Sequence, residues 1–230
     1  MRIVVDSLLE GAARARGAVV VIDVFRAFTT AAVMLAHGAE RIVMVGSVEE
    51  AVGLRAAGIG QVCVGEVDGL APEAFDFGNS PYAVSGADFS GKTIIQRTSA
   101  GTQGIVTARH AETMFAGALV TARATAAALH ADGAELVSLV AMGKNGVGRT
   151  DEDELCALHL RNLLEGRPGD RAAVRRVIMA GGEAPRFRDP AGRDSHPGDL
   201  EIALDVDRYD FAVAVTIEDG RPVAQMHRAQ

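Results

Sequence analysis

Short runs rich in valine and isoleucine alternate with alanine-rich stretches along most of this chain, and that alternation narrows the folds open to it more than any other feature. A run of four to eight apolar residues reads as a strand buried on both faces, whereas apolar positions three and four apart read as a helix packed on a sheet. Strands are expected at Arg2–Val5, Ala18–Val24, Arg41–Val45, Gln61–Gly65, Thr93–Gln96, Glu112–Phe115 and Leu136–Ala141. Helices are expected over 27–37, 47–57, 101–111, 121–131 and 151–165, the second started by a capping box of Ser47 and Glu50. Repeated strand–helix units imply an α/β fold, a mostly parallel sheet with helices on both faces in three layers.

After Gly166 the texture changes. Residues 170–183 read as a basic helix, 184–198 as a Pro/Gly/Arg-rich loop and 198–208 as an acidic helix. A hairpin of Phe211–Ile217 and Pro222–Met226 turns through Glu218-Asp219-Gly220. The expected division is a main α/β domain over 1–166 and, over 167–230, a smaller C-terminal α/β lobe or hairpin-containing cap.

A net charge of −7 argues against a nucleic-acid partner held on a basic face. Of the 23 basic residues only Lys92 and Lys144 are lysines, so anions would be met by arginine forks and backbone N–H groups. The N-terminal stretch MRIVVDSLLEG meets acids and Gly11 before a signal-peptide core forms, and no apolar run reaches the roughly 18 residues of a membrane span. Cys63 and Cys156 are too few for a disulfide framework and read as buried small hydrophobes. The expectation is a cytoplasmic protein with no membrane partner, homo-oligomerisation being left open.

Gly86–Thr93, GADFSGKT, fits the phosphate-loop pattern G-x-x-x-x-G-K-[ST] letter for letter. Its context does not fit: no convincing strand precedes it, and a strand rather than a helix follows. It is read as a turn that launches a strand, with Gly91 at the bend and Lys92 solvated.

In open parallel sheets ligands sit at the carboxyl ends of strands, and four such ends are loaded here. The first carries Asp23, Arg26, Thr29 and Thr30; the second Glu66 and Asp68, then a loop with FDFGNSP at 75–81. The third is RTSAGTQG at 97–104, with Arg97, Thr98, Ser99, Gly101 and Thr102; the fourth is MGKNGVGRTDED at 142–153, with Lys144, Asp151 and Asp153. The carboxylates Asp23, Glu66, Asp76 and the Asp151/Asp153 pair are oxygen donors of the kind Mg²⁺ takes, and Arg26, Arg97 and Lys144 could neutralise an anion. Phosphate chemistry with a hard cation is the reading these parts favour. A cysteine phosphatase would need an arginine six positions after its cysteine, where Gly69 and Asn162 stand. An aspartyl-phosphate enzyme of the haloacid dehalogenase type would need a second Asp where Phe25 stands.

The ordered set DVFRAFTT (23–30), GE (65–66), AFDFGNSP (74–81), RTSAGTQG and MGKNGVGRTDED resembles the 2-phosphosulfolactate phosphatases of the ComB type, well over 18–165 and loosely in the tail. Phe28 stands where that pattern has Thr, and Ser99-Ala100 where it has Thr-Asn. The resemblance implies an α/β, Mg²⁺-dependent hydrolase acting on a small anionic phosphoester, (R)-2-phospho-3-sulfolactate, in a step towards coenzyme M. It implies catalytic roles for Asp23, Arg26 and Glu66, and substrate binding by Thr29, Thr30, Asn79, Arg97, Thr98, Ser99, Gly101, Thr102 and Lys144. Asp23, Glu66, Asp76 and Asp151 are the expected metal ligands. The alternatives are a non-catalytic anion-binding protein that kept the pocket, and a phosphatase of a different small phosphorylated acid.

Overall fold

The computed structural model describes residues 1–188 and 195–229; positions 189–194 of the expected 184–198 loop, and Gln230, lie outside the described residues. In chain order the elements are β1 (Arg2–Ser7), α1 (Leu8–Arg14), β2 (Gly17–Ile22), α2 (Ala27–Ala36), β3 (Arg41–Met44), α3 (Val48–Ala56) and β4 (Val62–Gly65). Then come α4 (Pro81–Val84), β5 (Thr93–Arg97), α5 (Gly101–Thr107), β6 (Ala111–Gly117), α6 (Ala122–Ala131), β7 (Leu136–Ala141) and α7 (Asp151–Leu164). The chain ends with α8 (Arg171–Ala180), a 3-10 helix at Ala184–Arg188, α9 (Pro197–Ala203), β8 (Ala212–Glu218) and β9 (Arg221–His227).

All nine strands form one sheet in the order β1-β7-β2-β6-β8-β9-β3-β5-β4. β1, β7, β2 and β6 are mutually parallel, as are β3, β5 and β4. The hairpin β8–β9 joins the two blocks, pairing antiparallel with β6 on one side and β3 on the other. Three successive antiparallel pairings mean that the second block runs opposite to the first. The expected hairpin is thus present, and it lies inside the sheet. Asp219 and Gly220 both have positive φ, +48° and +77°, which is the backbone a two-residue turn between right-twisted strands requires.

Side chains alternate across the sheet as the pleat dictates. In β2, Val19 and Val21 enter the core shared with α1, α2, α4 and α5, while Ala18, Val20 and Ile22 enter the core shared with α6, α7, α8 and α9. α3 covers the second face at the far end, over Val43, Cys63 and Ile95. These are the three layers expected. α2 is buried from Ala27 to Leu35 and carries no charge, as a helix with a partner on every side must. Its core draws side chains from both strand blocks, including Val21, Ile42, Val64, Ile94 and Val213. Five strand steps separate β2 from β5. At roughly 20–25° of twist per step, the second block turns by more than a right angle, so the sheet wraps around α2. That wrapping brings the carboxyl ends of opposed blocks together: a Cβ added to Gly101 would lie 2.9 Å from Asp23 Oδ2.

Apart from the hairpin's place inside the sheet, differences from the sequence reading are local. α1 was not expected, because LLEGAAR is short and holds a glycine; Gly11 is needed there, since a Cβ would meet the Asp6 carboxylate at 3.0 Å. Pro81 starts a one-turn helix rather than stopping a turn, with Ser80 as N-cap accepting from Ala83 N at 3.1 Å. Ser47 caps α3 through Glu50 N, but Glu50 reaches back to Gly46 N instead of closing the box on Ser47. The GADFSGKT stretch is the turn expected of it: Gly91 has φ +68°, Lys92 Nζ donates to the Asp88 carbonyl, and β5 begins at Thr93.

Candidate active site

The four loaded strand ends converge on one cavity of about 100 Å³. Asp23, Phe25 and Arg26 come from the end of β2, Glu66, Asp68 and Gly69 from β4, and Ser99 and Ala100 from β5. Gly143, Lys144 and Asn145 follow β7, Thr150 and Glu152 open α7, Asn79 precedes α4, and Glu183 and Arg186 come from the 3-10 region. The space suits a small molecule and not a nucleotide, since pockets for drug-sized ligands run to roughly 300–1,000 Å³.

Asp23 lies at the bottom, buried, where α2 and α5 both begin. Its Oδ1 accepts from Ala27 N at 3.0 Å, and the Gly101 N–H also donates to the carboxylate. Burial pushes the Asp23 carboxyl up to about 6; those two N–H groups pull the other way, and the Glu66 charge adds to the rise. Gly101 is required for this approach, because a Cβ would also meet Ala27 Cβ at 2.7 Å. Glu66 pins the β5–α5 turn: Oε1 accepts from Ser99 N at 2.5 Å, and Oε2 from Gly69 N at 2.7 Å and Ser99 Oγ at 3.0 Å.

Two buried acids stand at the start of α7, Glu152 in the cavity lining and Asp153 outside it. Asp153 accepts from Val24 N at 2.7 Å and Gly143 N at 2.8 Å, joining the β2 and β7 loops. Burial, with the charges of Glu152 and Asp23, holds its carboxyl well above the ordinary value. Burial likewise pushes Glu152 up to about 8, and its Oε2 has no hydrogen-bond partner. Asn79 Oδ1 and Thr150 Oγ1 are two further buried, unpartnered oxygens in the cavity wall. At the mouth, Asn145 Nδ2 donates to Asp68 Oδ1 at 2.9 Å, bridging two loops.

The expected site residues divide. Asp23, Arg26, Glu66, Asn79, Ser99 and Lys144 line the cavity. Thr98, Thr102 and Arg97 stand behind it. Thr98 N donates to Thr102 Oγ1 at 2.8 Å and Thr102 N to Thr98 Oγ1 at 3.0 Å, holding the turn, and Arg97 Nη1 donates to the Glu66 carbonyl at 2.7 Å. Thr29 spends its hydroxyl on the Val24 carbonyl, and Thr30 is buried in α2. Phe28, the departure from the resembled pattern, belongs to the core around α2 and not to the cavity lining.

Asp76 and Asp151 are not brought to the cavity. Asp76 Oδ2 accepts from Cys63 N at 2.7 Å and pairs with Arg55 at 3.1 Å, on the edge of β4. Asp76→Ala is expected to lower stability by about 1–2 kcal/mol in urea unfolding, because the Cys63 N–H loses its acceptor. Asp151 Oδ2 accepts from Gly182 N at 3.0 Å. Of the acidic run 151–154 the sequence reading singled out Asp151 and Asp153 and passed over Glu152, which lines the cavity. The buried stripe Cys156, Ala157, Leu160 and Leu164 continues backwards through Asp153 and Glu152, and that stripe could have selected them. Glu183 and Arg186 had no comparable signal, lying in a stretch defined only by its composition.

The cavity wall bears five carboxylates, Asp23, Glu66, Asp68, Glu152 and Glu183, against three cations, Arg26, Lys144 and Arg186. Fold and cavity together define an α/β protein with a strand-end cleft lined by acids and cations side by side. A family model described as 2-phosphosulpholactate phosphatase matches residues 4–184, and the chain belongs to that family. It is similar to proteins named "Probable 2-phosphosulfolactate phosphatase" in three bacteria. The Carboxydothermus hydrogenoformans protein is 45% identical over 109 residues, 47% of this chain and 45% of the relative. The Bacillus subtilis protein is 32% identical over 149 residues, 64% of each chain. The Deinococcus radiodurans protein is 33% identical over 195 residues, 81% of this chain and 80% of the relative. The chain spans less than two thirds of the length of the first two.

Proposed function

We propose that the protein is a Mg²⁺-dependent phosphatase of a small anionic phosphoester, (R)-2-phospho-3-sulfolactate, releasing sulfolactate and phosphate, a step of the coenzyme M type. The observation that carries the reading is the excess of acids over bases in a cavity whose wall also holds three buried oxygens without partners, Glu152 Oε2, Asn79 Oδ1 and Thr150 Oγ1. Burial holds the carboxyl groups of Asp23 and Glu152 above their ordinary values, and a divalent cation beside them would favour their charged forms.

Among the described residues no three His, Cys, Asp or Glu side chains stand close enough to form a metal cage by themselves. Mg²⁺ seldom uses one, being held by one or two carboxylates with waters and substrate oxygens, so the donor set fits. Asp23 and Glu66 would hold the metal, with the Asn79 carbonyl and Glu152 within the same wall. When bound, the ion supplies Lewis-acid polarisation of a phosphoryl oxygen and an acidified water. The chain's own contribution is placement. The Ala27 and Gly101 N–H groups fix the Asp23 carboxylate, Glu66 holds the β5–α5 turn, and Arg26, Lys144 and Arg186 set positive charge around an anion. A substrate with phosphate, carboxylate and sulfonate groups matches three cations better than a simple monoester does.

Purified protein is expected to release inorganic phosphate from phosphosulfolactate with Mg²⁺ and to lose that activity in chelator. Activity indifferent to chelator would refute the metal, and sulfolactate binding without turnover would refute hydrolysis.

A further inference from the structure

Asp199 is the most heavily engaged buried carboxylate outside the cavity. It sits on α9, beyond the residues 4–184 that match the family model, and its relative exposure is 0%. Oδ2 accepts from Arg26 Nη1 at 2.8 Å and from His196 N at 3.1 Å. Oδ1 accepts from Ser80 Oγ at 2.5 Å and Tyr82 N at 3.0 Å. The His196 ring lies flat on Tyr82, with centroids 3.8 Å apart. One side chain therefore ties together the β2 loop, the Asn79-Ser80 segment and the C-terminal helix.

We propose that Asp199 is a positioning residue for Arg26: it holds one edge of the guanidinium so that Arg26 is fixed in the cavity wall beside Asn79. The inference rests on the reading of the cavity as an anion site. Arg26 is 6% exposed yet lines the cavity. A side chain that long needs an anchor to keep one rotamer, and a carboxylate with its own lone pairs filled from three other directions is a rigid one. Stability alone is a poor account of the pair, since a buried ion pair is often no more stabilising than apolar residues of the same volume. A fixed guanidinium is what an anion-binding wall requires.

A double-mutant cycle tests this. Asp199→Asn is expected to lower kcat/KM for phosphosulfolactate by about 30–100-fold, and to weaken inorganic phosphate binding in calorimetry with Mg²⁺ by a similar factor. In an Arg26→Met background the same Asp199→Asn change is expected to add less than about threefold, because the residue acts through Arg26. Equal losses in both backgrounds, or a folded Asp199→Asn protein within threefold of the parent, would overturn the inference. If Asp199→Asn does not fold, Ser80→Ala removes one donor from Asp199 and leaves the pair; its loss, about 3–10-fold, should again appear only where Arg26 is present. If the parent binds phosphate without turning over phosphosulfolactate, hydrolysis falls and the cycle in phosphate affinity judges Asp199 alone. If it does neither, both readings fall.

Discussion

Asp23→Asn is expected to lower phosphate release by about 10²–10³-fold or more and, in chelator at pH 8, to make the protein more stable. The two effects have one origin. Asparagine keeps the shape and can still accept from Ala27 N, but it removes a charge buried at the bottom of the cavity. The folded-state pKa of Asp23, about 6, lies above its ordinary 3.8. The carboxyl therefore contributes stability that is fully present below pH 3.8 and is lost as pH rises through about 6. At pH 8 the lost amount is on the order of 3 kcal/mol, which in a chain of this size corresponds to a Tm difference of roughly 6–12 °C. The variant should melt higher than the parent at pH 8 in chelator, and the gap should narrow as pH falls towards 4. Added Mg²⁺ should raise the parent's Tm and leave the variant's unchanged. A variant less stable than the parent at pH 8, with no metal present, would contradict the electrostatic account.

Gly65→Ala should be as damaging through sterics alone. Gly65 ends β4 with φ +144°, and a Cβ there would lie 1.7 Å from the Arg97 carbonyl oxygen. That oxygen accepts from Glu66 N at 3.0 Å, so the backbone cannot retreat without carrying Glu66 away from the β5–α5 turn. Loss of about 3–5 kcal/mol is expected, with phosphate release falling along with it. Equilibrium unfolding and an assay of the same preparation check both, and a variant of parental stability would show that the β4–β5 edge relaxes freely. The Gly-Glu pair in the sequence thus has a mechanical reading: the glycine lets the two backbones touch so that the glutamate can cap the neighbouring turn.

The sequence was most informative where period and composition act locally. The Val/Ile runs located the seven strands outside the hairpin to within a few residues, and the uncharged stretch AFTTAAVMLA is the helix enclosed by the sheet. The loaded strand ends named six residues of the cavity wall because strand ends and helix starts are where a parallel fold presents its chemistry. What stayed hidden depends on long-range pairing. Nothing near Arg41 or Phe115 signals that β3 and β6 are separated by a hairpin from the far end of the chain, reversing one block against the other. Asp199 was invisible for the same reason, its partners Ser80 and Arg26 being 119 and 173 residues away. Asp76 looked like a ligand in FDFGNSP, but its Oδ2 meets Cys63 N and Arg55 and the residue does not line the cavity.

The placement of β8 and β9 also sets an order of events during synthesis. At roughly 5–20 residues per second, the ribosome delivers Asp23, Glu66, Ser99 and Glu152 well before residues 212–227. Until that last hairpin emerges, β6 and β3 have no strand between them, and each block presents an open edge beside the other. The cavity is thus a late product of translation, its two halves waiting on the final strands to be brought into register. A nascent chain stalled just short of β8 would carry most of the cavity's chemical groups while the two blocks that bear them still lacked the strands that join them.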